Sequence, residues 1–165
     1  MQIPAVEFKL LDKQDSDRVR ACAGLMAASE PWITLERTED DVIKIIDDET
    51  SEAYVAMSYG KIIGFAIIKI RGAFVGYIQS VVILPRYRRG GIGTKFMEFL
   101  EHRILSELPN VFICVSSFNH DAKRLYERLG YETIGRLKDY IVKGHDEILM
   151  RKSVAPLSEF KREPK

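Results

Sequence analysis

Residues 77–105, YIQSVVILPRYRRGGIGTKFMEFLEHRIL, constrain the fold of this chain more than any other stretch. Residues 77–84 are almost unbroken apolar and β-branched, the pattern of a strand covered on both faces. Pro85 cannot donate to a central ladder and ends that strand. After the turn Arg86-Tyr87-Arg88-Arg89-Gly90-Gly91-Ile92-Gly93, the apolar positions Met97, Leu100 and Ile104 return at helical spacing. A glycine turn feeding a helix N-terminus offers unpaired N–H groups and the positive end of the helix dipole to an anion. Glycine backbone lets the anion come close, and the arginines add charge. The chemistry is that of a phosphate or pyrophosphate cradle.

Three cradles have this character. A P-loop needs Gly-x-x-x-x-Gly-Lys followed by Ser or Thr, and that spacing is absent. A dinucleotide fingerprint starting at Gly91-x-Gly93 puts its third glycine on Phe96, where close helix–strand packing forbids a large ring. What remains is Arg88-x-x-Gly91-x-Gly93 behind a strand ending in Ile83-Leu84-Pro85.

The 165 residues suffice for one well-buried domain, expected over residues 1–152, with a polar, proline-containing tail over 153–165. A net charge of +1 gives no reason to expect nucleic acid or an anionic membrane as partner. No apolar run is long enough to span a bilayer and the N-terminus lacks an export pattern, so a cytoplasmic location is expected. Cys22 and Cys114 lie in apolar patterns and read as small buried residues. His102, His120 and His145 show no metal-ligand spacing, and no metal is expected.

Residues 6–11 read as a first strand, and residues 15–17 open a helix burying Val19, Cys22, Ala23 and Met26. The loop EPWITLER follows with the single tryptophan, Trp32, which either packs two helices together or lines an acceptor pocket. Thr38 then caps a short helix with Asp41 at its third position. Residues 53–58 and 61–71 form strands joined at Tyr59-Gly60, and Phe74 leads into the central strand. Residues 111–115 are a short buried strand reached by a parallel crossover, and at least two further strands with a hairpin at residues 143–145 complete the domain.

The second informative stretch is Asn119-His120-Asp121-Ala122-Lys123-Arg124-Leu125-Tyr126-Glu127-Arg128-Leu129-Gly130-Tyr131. Ala122, Leu125, Tyr126 and Leu129 share a helical face, and Gly130 stops the helix. Asn-x-x-Ala-x-x-Leu-Tyr-x-x-x-Gly-Tyr, behind the loop Arg88-x-x-Gly91-x-Gly93, closely resembles the paired motifs of the GNAT superfamily of acetyl-coenzyme A dependent N-acetyltransferases. The resemblance covers residues 77–131 and implies an α/β (α+β) GNAT fold. Such a fold has a mixed central sheet with antiparallel N-terminal strands, a splayed parallel central pair and flanking helices. It implies acetyl-CoA as co-substrate. The backbone of Val82 and Ile83 would meet the pantetheine arm and acetyl carbonyl. Arg88 and the N–H groups of Arg89, Gly90, Gly91, Ile92, Gly93 and Thr94 would hold the pyrophosphate. Asn119 would touch pantetheine, Tyr126 would sit beside the sulfur as general acid, and Arg124 or Lys123 would reach the adenosine phosphate.

The acceptor is open: a small-molecule amine, or the α-amine or lysine of a protein, with a homodimer also admitted. Strand alternation puts Tyr77, Gln79 and Val81 where the family often carries a base, and none is a carboxylate. Glu30, Glu36 and Asp139 are the remaining candidates, through water. Trp32, Glu36 and Gln79 are the candidate acceptor contacts, and the charges of Glu30, Glu36, Glu39, Asp40 and Asp41 suit a cation. The rival reading is a non-catalytic acyl-CoA binding or sensor module, which would keep the phosphate loop and lose the acid. Tyr126 favours the enzyme.

Overall fold

The computed structural model describes residues 5–73, 75–162 and 164; the expected role of Phe74 in leading into the central strand lies outside them. The chain begins with strand β1 (Glu7–Leu10). Helix α1 (Ser16–Ala27) is capped by the Asp15 carboxylate, which accepts from the Arg18 N–H, and it buries Val19, Cys22, Ala23 and Met26 as expected. Helix α2 (Glu39–Asp47) starts in the capping box anticipated from Thr38 and Asp41, each side chain accepting from the other's backbone N–H. Strands β2 (Ser51–Ser58), β3 (Lys61–Lys69) and β4 (Tyr77–Ile83) follow as an antiparallel meander. After a 3₁₀ turn (Pro85–Tyr87) come helix α3 (Ile92–Leu105), β5 (Asn110–Ser116), helix α4 (His120–Arg128), β6 (Glu132–Leu137) and β7 (Glu147–Ser153).

The strands form one sheet in the order β1-β2-β3-β4-β5-β7-β6, antiparallel everywhere except between β4 and β5. The chain reaches β5 through α3, the crossover that a parallel pair requires. Two apolar layers cover the sheet. Cys22, Met26, Trp32, Val42 and Ile46 pack from α1, α2 and their connection on Val55, Phe65, Ile67 and Val82. Phe96, Met97, Leu100 and Ile104 of α3, with Tyr126 of α4, pack against the other face on Ile68, Ile78, Ile113, Val115 and Met150.

Two features of β4 shape everything that follows. Its parallel pairing with β5 is confined to Tyr77 against Phe112 and Ile78 against Ile113, after which the strands part. Gly76 lets β4 start this close to its neighbour: at φ 83°, any Cβ there would lie 2.3 Å from the Asn110 carbonyl oxygen. The second feature is a bulge. Ile67 pairs with Ser80 but Ile68 with Ile78, so Gln79 is an extra residue and the alternation of faces shifts there. The expectation that Tyr77, Gln79 and Val81 share a face is therefore corrected. Val81 pairs with Ala66 and packs in the α3 layer, while Ser80 and Val82 lie opposite Ile67 and Phe65 of the α1 layer. Nor is β4 covered on both faces, since residues 79–81 remain half exposed.

Candidate active site

The parting of β4 and β5 opens a cavity of 1250 Å³ that reaches both faces of the sheet. On the α3 side it is lined by Arg88, Arg89, Gly91, Gly93, Thr94, Asn119, Arg124 and Tyr126. The α1 side contributes Glu30, Trp32, Tyr77, Cys114, Tyr140 and Glu147.

The glycine loop leads into the N-terminus of α3. Arg89 and Gly91 both take left-handed conformations, with φ 64° and 77°, the kind of backbone from which anion-binding nests are made. Gly91 is the N-cap of α3, no side chain bonds to the first-turn N–H groups, and that turn carries no acidic residue. A Cβ on Gly90, Gly91 or Gly93 would meet no described atom within 4 Å. Packing does not exclude side chains there; backbone conformation does at Gly91. Arg88 is turned back so that its Nε donates to the Ile83 carbonyl at 2.8 Å. These residues fit a pyrophosphate.

Ile83 and Val82 are not equivalent. The Leu84 N–H donates to the Ile63 carbonyl at 2.9 Å, so Val82, two residues back, also turns its backbone to β3. Ile83 turns its N–H to the open side that β5 has left, and the Val82 side chain lines the cavity. Asn119 caps α4, its side-chain oxygen accepting from the Ala122 N–H at 3.3 Å, so its NH₂ is what it offers a ligand. Arg124 pairs with Asp121 and Lys123 with Glu127, both near the surface; of the two cations, Arg124 lines the cavity.

Tyr126 is 7% exposed and lines the cavity from α4. Burial raises its phenol well above the ordinary range, which keeps the proton in place at neutral pH. Its ring lies 5.9 Å from that of Tyr131, which fixes its orientation.

On the other face the acceptor-side expectations divide. Gln79 and Trp32 line the cavity, and Trp32 also packs in the α1 layer, with Arg37 over its ring at 5.2 Å. Glu36 is exposed at φ 54° and lies outside the lining, as does Asp139, whose carboxylate accepts from the Gly144 N–H. The acidic flank does not face the cavity: Glu39, Asp40 and Asp41 form the first turn of α2, where they complement its dipole. Glu30 alone of that group lines it, beside Arg37, Lys69 and Arg71. Cys22 is buried, with its thiol pushed up to about 12, but Cys114 is only half buried and belongs to the cavity wall.

One residue escaped the sequence reading. Glu147, 4% exposed, opens β7 opposite Ser116 of β5, and Ser116 Oγ donates to its carboxylate at 2.6 Å. Burial raises that carboxyl above its usual range, the Ser116 hydroxyl opposing. Tyr77 and Cys114 lie within its electrostatic reach, both also pushed up by burial. No motif marks Glu147; its only signal is its place as the second acid of Asp146-Glu147, directly before the apolar run Ile148-Leu149-Met150. Among the described residues no cluster of His, Cys, Asp and Glu could hold a metal, and no helix is long and apolar enough to cross a membrane.

The comparisons agree with this geometry. The acetyltransferase (GNAT) family model matches residues 20–131. N-alpha-acetyltransferase of Sulfurisphaera tokodaii is 30% identical over 118 residues, 63% of this chain and 68% of its own length. A second N-alpha-acetyltransferase, from Saccharolobus solfataricus, is 32% identical over 91 residues, 53% of this chain and 54% of its own. The chain thus spans 68% of the first relative's length and 54% of the second's. The fold matches a structure of the NatC complex bound to Gag peptide and CoA, with TM-score 0.74 at 20% identity, over 91% of this chain and 99% of the other. Family model, relatives and fold converge with the split sheet and its glycine-capped helix: the chain belongs to the GNAT family and is an acetyltransferase.

Proposed function

We propose that the chain moves the acetyl group of acetyl-CoA to a primary amine by direct attack in a ternary complex. The observation that carries this reading is the cavity itself, open on one face at the glycine loop and Tyr126 and on the other at Trp32, Gln79 and Glu147. Donor and acceptor then meet between β4 and β5 with their encounter entropy already met. The pyrophosphate lies on the N–H groups of residues 89–94, with Arg88 beside it and Asn119 on the pantetheine. Arg124 serves the adenosine end. Charge on the thioester oxygen is met by the Ile83 N–H, and one such donor is typically worth ~3 kcal/mol. Tyr126 gives its proton to the departing sulfur. Its raised pKa means that the proton moves only once charge has built up there.

The acceptor we infer is the α-amine of a protein, the substrate that the relatives' names point to. Incubation with acetyl-CoA and a panel of free-α-amine peptides, spermidine and an aminoglycoside tests this, read by mass spectrometry. Acetylation confined to the polycations would overturn the acceptor assignment, and tight acetyl-CoA binding without turnover on any amine would favour the sensor.

A further inference from the structure

Before a bound acceptor can attack, its ammonium must lose a proton, and β4 supplies no carboxylate for this. The cavity is lined by three carboxylates among the described residues: Glu30, Asp121 and Glu147. Asp121 is paired with Arg124 on the donor side. Glu30 is engaged with the Thr34 N–H and hydroxyl, at 3.2 and 3.0 Å, in the loop after α1. Glu147 stands apart from both. Through the pairs Tyr77–Phe112, Leu149–Cys114 and Glu147–Ser116 it shares one sheet face with Tyr77 and Cys114. Tyr126 lies in the layer on the opposite face. The carboxylate is buried, lines the cavity, and has the Ser116 hydroxyl as its hydrogen-bond partner.

We propose that Glu147 is the general base that takes the proton from the acceptor ammonium, with Ser116 as the residue that positions its carboxylate. The proposal rests on the acetyl-transfer reading above. Of the ammonium's three protons, one passes to the Glu147 carboxylate and is later released to solvent. The nitrogen lone pair then forms the C–N bond as the C–S bond breaks. The second proton replaces the one that Tyr126 gives to the sulfur, and the third stays on the amide.

The surroundings favour this assignment. Burial raises the Glu147 carboxyl above its usual range, which makes its carboxylate a stronger proton acceptor than an ordinary one. Tyr77 from β4 and Cys114 from β5 face the same site, and both are pushed up by burial, so at neutral pH they hold their protons and cannot compete. The flanking Asp146 is held low by the Asp139 N–H and Arg136. His145 packs edge-on against Phe118, and Tyr140 completes the wall from the β6–β7 connection.

The test uses the full chain, acetyl-CoA and whichever peptide or small amine of the panel the wild type acetylates fastest. Glu147→Gln should lower kcat/KM for that amine by ~10²–10⁴-fold while acetyl-CoA affinity by calorimetry stays unchanged. The wild-type profile should level off above the carboxyl's titration, whereas the variant's should keep rising with the acceptor's own ionisation. Ser116→Ala removes a bond to the charged form and should move the wild-type limb to higher pH, which a merely structural serine would not do. A folded Glu147→Gln variant with the wild-type limb and turnover, beside a slow Tyr126→Phe variant, overturns the base and leaves acetyl transfer standing. Wild-type failure on every amine, with acetyl-CoA still bound, removes both.

Discussion

Replacing Tyr126 by Phe removes one hydroxyl and keeps a ring that packs in the α3 layer. If that hydroxyl serves the leaving sulfur, kcat should fall, with acetyl-CoA affinity nearly constant. A thiolate leaves fairly well, so a loss near the lower end of ~10²–10⁴-fold is expected, shrinking at low pH where solvent supplies the proton. Turnover at the wild-type rate, measured where chemistry limits, would remove Tyr126 from the mechanism. Glu147 carries the opposite relation between stability and function. Its folded pKa lies above the ordinary 4.5, so at low pH the group is protonated in both folded and unfolded chains and burial costs little. As pH rises through the folded value, the native state must bury a charge that the unfolded chain exposes, and stability falls. Glu147→Gln should therefore match the wild-type Tm in acid and exceed it near neutrality, the pattern of a site kept at a stability cost. A Tm difference independent of pH would contradict this.

At the scale of the element, the loop before α3 and the bulge in β4 show what a sequence displays and what it hides. The cradle was legible because every part of it is local: strand, proline stop, glycines and helix lie within one continuous stretch. The capping box of α2 was legible for the same reason, Thr38 and Asp41 being three residues apart. The bulge at Gln79 was not, because it exists only relative to Ile67 and Ile68 on β3, and alternation alone put Val81 on the wrong face. The Glu147–Ser116 pair was hidden likewise, since β7 comes to lie against β5 only when the sheet is assembled. The acidic residues near Trp32 misled because a solvated first turn and a cation-binding wall look alike as a string of charges. Gly91 joins conformation to function. With φ 77° and no neighbour to clash with, Gly91→Val should strain the backbone and put a side chain where the ligand comes close. Acetyl-CoA affinity should fall by about 5-fold or more, because holding the loop in its binding conformation with such a residue costs ~1–3 kcal/mol before any steric clash. Unchanged affinity by calorimetry would remove the loop from donor binding.

For the molecule as a whole, one structural choice dominates: the sheet is continuous by hydrogen bonding through Ile78 and Ile113 and open beyond them. The two apolar layers hold the halves of the sheet from either side, so the gap is a fixed feature of the packed domain. A gap through a sheet gives two mouths, and two mouths allow two substrates to be bound at once. That geometry makes a kinetic prediction. Direct transfer requires both substrates on the enzyme before any product leaves, so initial-velocity plots should intersect and no acetylated protein should accumulate with acetyl-CoA alone. The competing route would park the acetyl group on a side chain, and Cys114 is the nucleophile the cavity offers for it. Burial raises the Cys114 thiol, however, and the nearby Glu147 charge raises it further, which leaves little thiolate at neutral pH. Cys114→Ala should accordingly keep turnover within a few-fold of wild type, the remaining change reflecting the lost contact with Tyr77. Parallel initial-velocity lines, a burst of free coenzyme A without acceptor, and a dead Cys114→Ala variant would together establish the two-step route. Intersecting lines and an active variant leave direct attack across the split sheet.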